Sequence, residues 1–234
     1  MRFTCFSKLP EMINKETFQF LKQLSINNNK EWFDANRGSY GVLRKDFEHV
    51  VEIVIGEIGK FDRESAQTTA KDSLFRINRD TRFSADKLPY KTNFGAFIAR
   101  GGRKGINAGY YIHVEPGSCF LAGGIYMPSG PMLKAIRNEI YGNIEEFRAL
   151  LDNPDFQKHF GKTLWGEKLK SAPKGFPKDF PDLDLLKYKH YTVMKAEPDK
   201  VYWQPGFIDE VLETFRAMAP FNKFLNNAVE DVER

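Results

Sequence analysis

The chain has 234 residues, enough to bury a sizeable core as one domain. With 41% hydrophobic and 28% charged residues it falls outside the disordered, collagen-like and coiled-coil classes. A net charge of +4 favours anionic ligands but lacks the density of a dedicated nucleic-acid binder. Two cysteines, Cys5 and Cys119, are too few for a disulfide framework and have no zinc spacing, so both read as free thiols. No segment has the apolar run of a signal peptide or a membrane span, which points to the cytoplasm.

In chain order, a short extended start leads to a helix opened by Asn14 or Lys15, with Phe18, Phe20, Leu21 and Leu24 as its buried stripe. A second helical pattern runs from Lys30 to about Lys60. Gly38 and Gly41, each costing about 1 kcal/mol relative to Ala, are the expected points of a break or bend, leaving one bent helix or two. Residues 61–72 read as a loop. The period then changes: Leu74, Phe75 and Ile77 are strand-like, Ser84 to Pro89 turns, and Thr92 to Ala99 is a strand. Gly101 to Gly105 forms a hairpin tip, and strands over Gly109–Val114 and Ser118–Ile125 complete an antiparallel meander. Ser129 and Pro131 carry the chemistry of a helix start. Shorter helices follow at 144–151 and 154–160, then an irregular stretch over 161–184 anchored by Trp165, Leu169, Phe176 and Phe180. Tyr191 to Ala196 alternates as a strand, and a final amphipathic helix from Gly206 to about Glu230 is expected to be interrupted at Pro220. The 21 phenylalanines predict a core filled by rings.

Chemistry concentrates between Arg76 and Lys91. Arg76, Arg79, Arg82, Lys87 and Lys91 face two acids, Asp80 and Asp86, and alternate with Phe75, Ile77, Phe83, Leu88 and Tyr90, which need burial. Arginine suits planar recognition of phosphate or carboxylate, and the lysines add point charges. Asp80 and Asp86 serve either as counter-ions that orient the arginines or as acid/base or metal-ligand groups. Pro89 stiffens the backbone before Tyr90, which either donates to an anion, acts as an acid, or is simply a core ring. The plainer reading of the whole stretch is a charge network that fixes a loop.

Other signals are weaker. His113 and Glu115 lie two apart on a strand, hence on one face, and offer two metal ligands with no third at a recognisable spacing. Gly123 to Gly130 precedes a helix but lacks the lysine and spacing of a phosphate loop. Arg100, Arg103 and Lys104 sit on a hairpin tip where charge is usually solvated. No serine stands in a nucleophile elbow, and neither cysteine has a catalytic signature.

Several of these stretches resemble one family. Phe18, Phe20, Leu21 and Leu24 with Asn28 to Phe33, the long Arg76 to Thr92 motif, Gly109 to Tyr111, Gly123 to Tyr126, and Pro173 to Phe176 look like the family catalogued as domain of unknown function 2461. The resemblance implies one domain over 1–234 and brings no reaction, cofactor or catalytic residue with it.

The fold expected is α+β, a mainly antiparallel sheet containing Phe75–Ile77 and covered by N-terminal and C-terminal helices. The leading functional reading is a site that binds a phosphate- or carboxylate-bearing small molecule, with or without a reaction on it, contacted by Arg76, Arg79, Arg82, Lys87 and Lys91. The alternatives are a nucleic-acid or polyanion-binding module and a structural or partner-binding domain without a ligand.

Overall fold

The computed structural model describes residues 11–82 and 86–233. Cys5, the extended start, Phe83, and Ser84 and Ala85 of the predicted turn lie outside the described residues. Among those described, the chain forms α1 (Lys15–Ile26), α2 (Lys30–Ala35), α3 (Arg37–Ile58), α4 (Ala70–Ser73), β1 (Phe94–Ile98), β2 (Gly109–Val114), β3 (Phe120–Ile125), α5 (Gly130–Gly142), α6 (Ile144–Asp152), α7 (Pro154–Phe160), α8 (Leu183–Leu186), β4 (Tyr191–Ala196), α9 (Asp199–Tyr202) and α10 (Phe207–Val229).

Local chemistry explains most of these limits. Asn14 caps α1 by accepting from the Glu16 N–H, and Asn29 caps α2 by accepting from the Trp32 N–H at 2.9 Å. The break between α2 and α3 falls at Asn36, not at Gly38 or Gly41. Asn36 turns its side-chain amide onto the Trp32 carbonyl at 2.8 Å, offering the backbone a local bond that ends the helix. Both glycines sit inside α3. Likewise α10 runs unbroken through Pro220. Phe215 and Met218 before the proline and Phe221, Phe224 and Leu225 after it are all buried, and this packing outweighs the missing N–H.

The sheet is an antiparallel meander in the order β1-β2-β3-β4, the last strand returning after α5 to α8. Cross-strand register puts Phe94, Ala96, Ile98, Tyr110, Ile112, Val114, Leu121, Gly123, Val193 and Tyr191 on one face. Helices cover that face. Phe47 of α3 packs on Phe94 with ring centroids 5.7 Å apart, and Phe215 of α10 packs on Tyr110 at 4.9 Å. Gly123 permits the close approach of α10, because a Cβ there would stand 2.2 Å from the Met218 sulfur. The core is aromatic, as composition predicts: Phe47, Phe147, Phe207, Phe215, Phe221, Tyr110, Tyr191 and Tyr202 are fully buried.

The opposite face carries Phe97, Tyr111, His113, Phe120, Ala122 and Met194, all of which keep partial solvent access. Its rim is the Leu74 to Thr92 segment. Phe75–Ile77 is not the strand expected. The segment touches its neighbours at single points, Leu74 with Ala96 and Asn78 with Tyr90. The two bridges are two residues out of register with each other, so no continuous ladder runs between them through Phe75–Ile77. In the 161–184 stretch, Phe176 and Phe180 pack on Tyr141 as anchors, whereas Trp165 is half exposed and Leu164 is the buried residue.

Candidate functional site

Pinching the Arg76 to Lys91 segment at Asn78 and Tyr90 sorts its charges into two groups. At the tip, Arg79 donates to Asp86 at 2.6 Å, and Asp86 also accepts the Leu88 N–H at 2.9 Å. Arg82 grips Asp80 with its Nε and Nη2, at 3.0 and 2.7 Å. Lys87 donates to the Thr81 carbonyl at 2.9 Å. These hydrogen bonds hold both Asp80 and Asp86 below the ordinary carboxylate range. Tyr90 goes to the core: 5% exposed, it stacks on Phe33 at 4.0 Å while Asn28 holds its backbone on both sides.

The base of the loop is different. The side chains of Arg76 and Lys91 form no hydrogen bond or ion pair among the described residues. The Lys91 ammonium lies 4.9 Å from the centre of the Phe75 ring, a cation–π contact. Burial, and then the charge of Arg76, push the Lys91 pKa below its ordinary value. Phe75 in turn meets Tyr111 edge-on at 6.0 Å, and Arg44 of α3 donates to the Phe75 carbonyl at 3.3 Å. Two cations thus border the open face of the sheet at the ring that touches Tyr111.

On that face, alternate residues of β2 build a hydrogen-bonded chain. Tyr111 Oη lies 3.0 Å from His113 Nδ1, His113 Nε2 lies 3.1 Å from Glu115 Oε2, and the Thr92 hydroxyl donates to Glu115 Oε1 at 2.5 Å. A carboxylate can only accept, so His113 carries its proton on Nε2, and Nδ1 accepts from the Tyr111 hydroxyl and, at 3.4 Å, from the Asn93 amide. Phe120 stacks on the imidazole at 4.3 Å. Burial lowers the His113 pKa against the opposing pull of Glu115 and keeps the ring neutral. The Tyr111 phenol is pushed up, first by burial and then by Glu115, and stays a donor. Gly95 makes the room: a Cβ there would stand 2.5 Å from Tyr111 Oη.

Glu115 and Thr92 also line a cleft of about 470 Å³ between α1 and the β2–β3 turn, bordered by Phe18, Lys22, Ser25 and Asp199. None of the five predicted cations lines it, although it begins one residue from Lys91. Elsewhere, Arg103 of the hairpin tip donates to the Lys71 and Asp72 carbonyls at 3.0 and 2.6 Å and closes the end of α4. Among the described residues, no group of three or more His, Cys, Asp or Glu stands ready for a metal ion, and no helix is long and apolar enough to cross a membrane.

The sequence placed His113 and Glu115 on one face, and the structure joins them to each other. It missed Tyr111, although the same alternation by two extends the pair to it, and it missed Thr92, Asn93, Phe120 and Arg44. Only the last comes from a distant element with no local signal.

Fold and site together define an α+β protein whose helices cover one face of a meander and leave the other bearing a tyrosine–histidine–glutamate chain beside two cations. The chain belongs to the family DUF2461, described as a conserved hypothetical protein, whose family model matches residues 16–224. No curated protein and no solved structure matches it.

Proposed function

We propose that the open face of the sheet binds a small molecule through its phosphate or carboxylate group, with Arg76 and Lys91 as the anion contacts. The observation that carries this is that neither side chain is tied by a hydrogen bond or ion pair among the described residues, while Lys91 lies partly buried on the Phe75 ring. The nearby carboxylates of Asp80 and Asp86 hold Arg82 and Arg79, and the charge of exposed Arg76 acts on Asp80 and also repels partly buried Lys91. An arriving anion relieves that repulsion and replaces lost hydration. Arg79, Arg82 and Lys87 act one step back, fixing the loop that presents the pair. The half-buried Phe97, Phe120 and Met194 offer a floor for the apolar part of the ligand. Cys119, a buried free thiol, suits a reducing compartment such as the cytoplasm.

Lysine side-chain NMR tests this reading. The Lys91 ammonium titrates below its ordinary 10.5 in the free protein; saturating inorganic phosphate raises its pKa, as does Arg76→Gln without phosphate. A Lys91 titration that phosphate leaves in place rules out the contact.

A further inference from the structure

We infer that Tyr111 is a catalytic acid/base group, which takes a proton from the C–H beside a carbonyl of a carboxylate- or phosphate-bearing substrate while passing its own proton to His113 Nδ1. This rests on the anion site proposed above and names the reaction that site serves. The chain Thr92–Glu115–His113–Tyr111 is ordered for proton movement in one direction. Glu115 fixes the imidazole tautomer, so the only lone pair on the ring points at the Tyr111 hydroxyl. The face is not sealed: the side chains of His113 and Glu115 are 12% and 31% exposed.

In the step, the substrate C–H bond breaks and its proton joins the Tyr111 oxygen. The phenol proton moves to Nδ1, giving an imidazolium held by the Glu115 carboxylate. The C–H electron pair becomes the C=C of an enolate, whose oxygen carries the charge the carbon has lost. Lys91 and Arg76 bind the substrate's fixed anion and supply positive potential towards the enolate. Reversal returns the proton. Among the described residues, no thiol nucleophile is offered here. The thiol nearest the chain, Cys119, is buried, donates to the Glu115 carbonyl at 3.2 Å and is pushed up to about 12 by burial. What the constellation can move is a proton.

Tyr111 touches the substrate; His113 and Glu115 are positioning residues. The groups facing His113 are Tyr111 and Glu115 from its own strand, Asn93 from the segment before β1, and Phe120 from β3. The test follows loss of the carbon-bound protons of pyruvate and of dihydroxyacetone phosphate in D2O by proton NMR. The intact protein should accelerate exchange of at least one probe, with inorganic phosphate competing. Tyr111→Phe, checked for an unchanged melting temperature, should slow it about 100-fold, the usual scale of a lost acid/base group. The exchange rate should rise with pH through the His113 pKa, and Glu115→Gln should move that limb to lower pH, since Glu115 raises the His113 pKa. If phosphate raises the Lys91 pKa but neither probe exchanges, or if Tyr111→Phe exchanges as fast as wild type, the acid/base role is wrong and the binding site stands. If phosphate binds nowhere near Lys91 and nothing exchanges, both readings fall together.

Discussion

Acidification bears first on His113, whose ring the fold keeps neutral by burial even though Glu115 pulls the other way. A histidine with a folded pKa below its ordinary 6.5 leaves the unfolded chain binding more protons between those two values. Stability therefore falls as pH drops from about 6.5 through the folded pKa, and is level above that window. His159 is shifted in the same direction, chiefly by burial, and contributes its own share. Urea unfolding at pH 7.5 and across the acid range should show this slope. His113→Gln should flatten part of it and leave the His159 part; a slope identical to wild type would mean that His113 titrates alike in both states.

Helices and strands differ in how far their limits can be read from neighbours. The meander of β1 to β3, the start of α5 at Ser129 and Pro131, and the limits of α6 and α7 follow from alternation, turns and caps within a few residues, and all were legible. Three features were not, because bonds and packing that no simple pattern announces decide them. Phe75–Ile77 is not a strand because the Leu74–Ala96 and Asn78–Tyr90 bridges on either side of it are two residues out of register. The helix break at Asn36 depends on a side-chain bond that competes with two more obvious glycines. Pro220 stays helical because both halves of α10 bury rings against the sheet and α6, as with Phe215 on Tyr110 and Phe224 on Phe147. In the candidate site, the cations were legible as a set, but the division into tied and untied ones required the fold-back at Asn78 and Tyr90. If packing holds Pro220 in place against its helix penalty, Pro220→Ala should stabilise by about 2 kcal/mol, the ~3 kcal/mol helix cost less up to ~1 kcal/mol from a freer unfolded chain. Calorimetry should find the melting temperature roughly 4 to 8 °C higher. No change would mean that the helix already accommodates the ring without strain.

At the scale of the whole molecule, helices cover one side of the sheet and leave residues of the other partly open to solvent. The covered face holds the aromatic core between α3 and α10, while Tyr111, His113, Lys91 and Arg76 border the open one. A net charge of +4 over 234 residues favours an anion in general and does not select a polymer over a small ligand. Salt separates the two, because neutralising a run of phosphates releases counterions and makes affinity fall steeply, whereas two cations on one small anion respond weakly. The deciding measurement is thermal unfolding of wild type and an Arg76→Gln, Lys91→Gln variant with phosphate, sugar phosphates, nucleotides and small carboxylates, at low and moderate salt. At a hundred times its Kd a ligand stabilises by about 2.7 kcal/mol, a rise of roughly 5 to 10 °C for a chain of this size. We predict such a rise in the wild type, persisting at moderate salt and absent from the variant, which itself melts no lower because a repelling pair has been removed. A variant that melts clearly lower, with no compound shifting the wild type, would contradict the site and make the two cations part of the loop's structure.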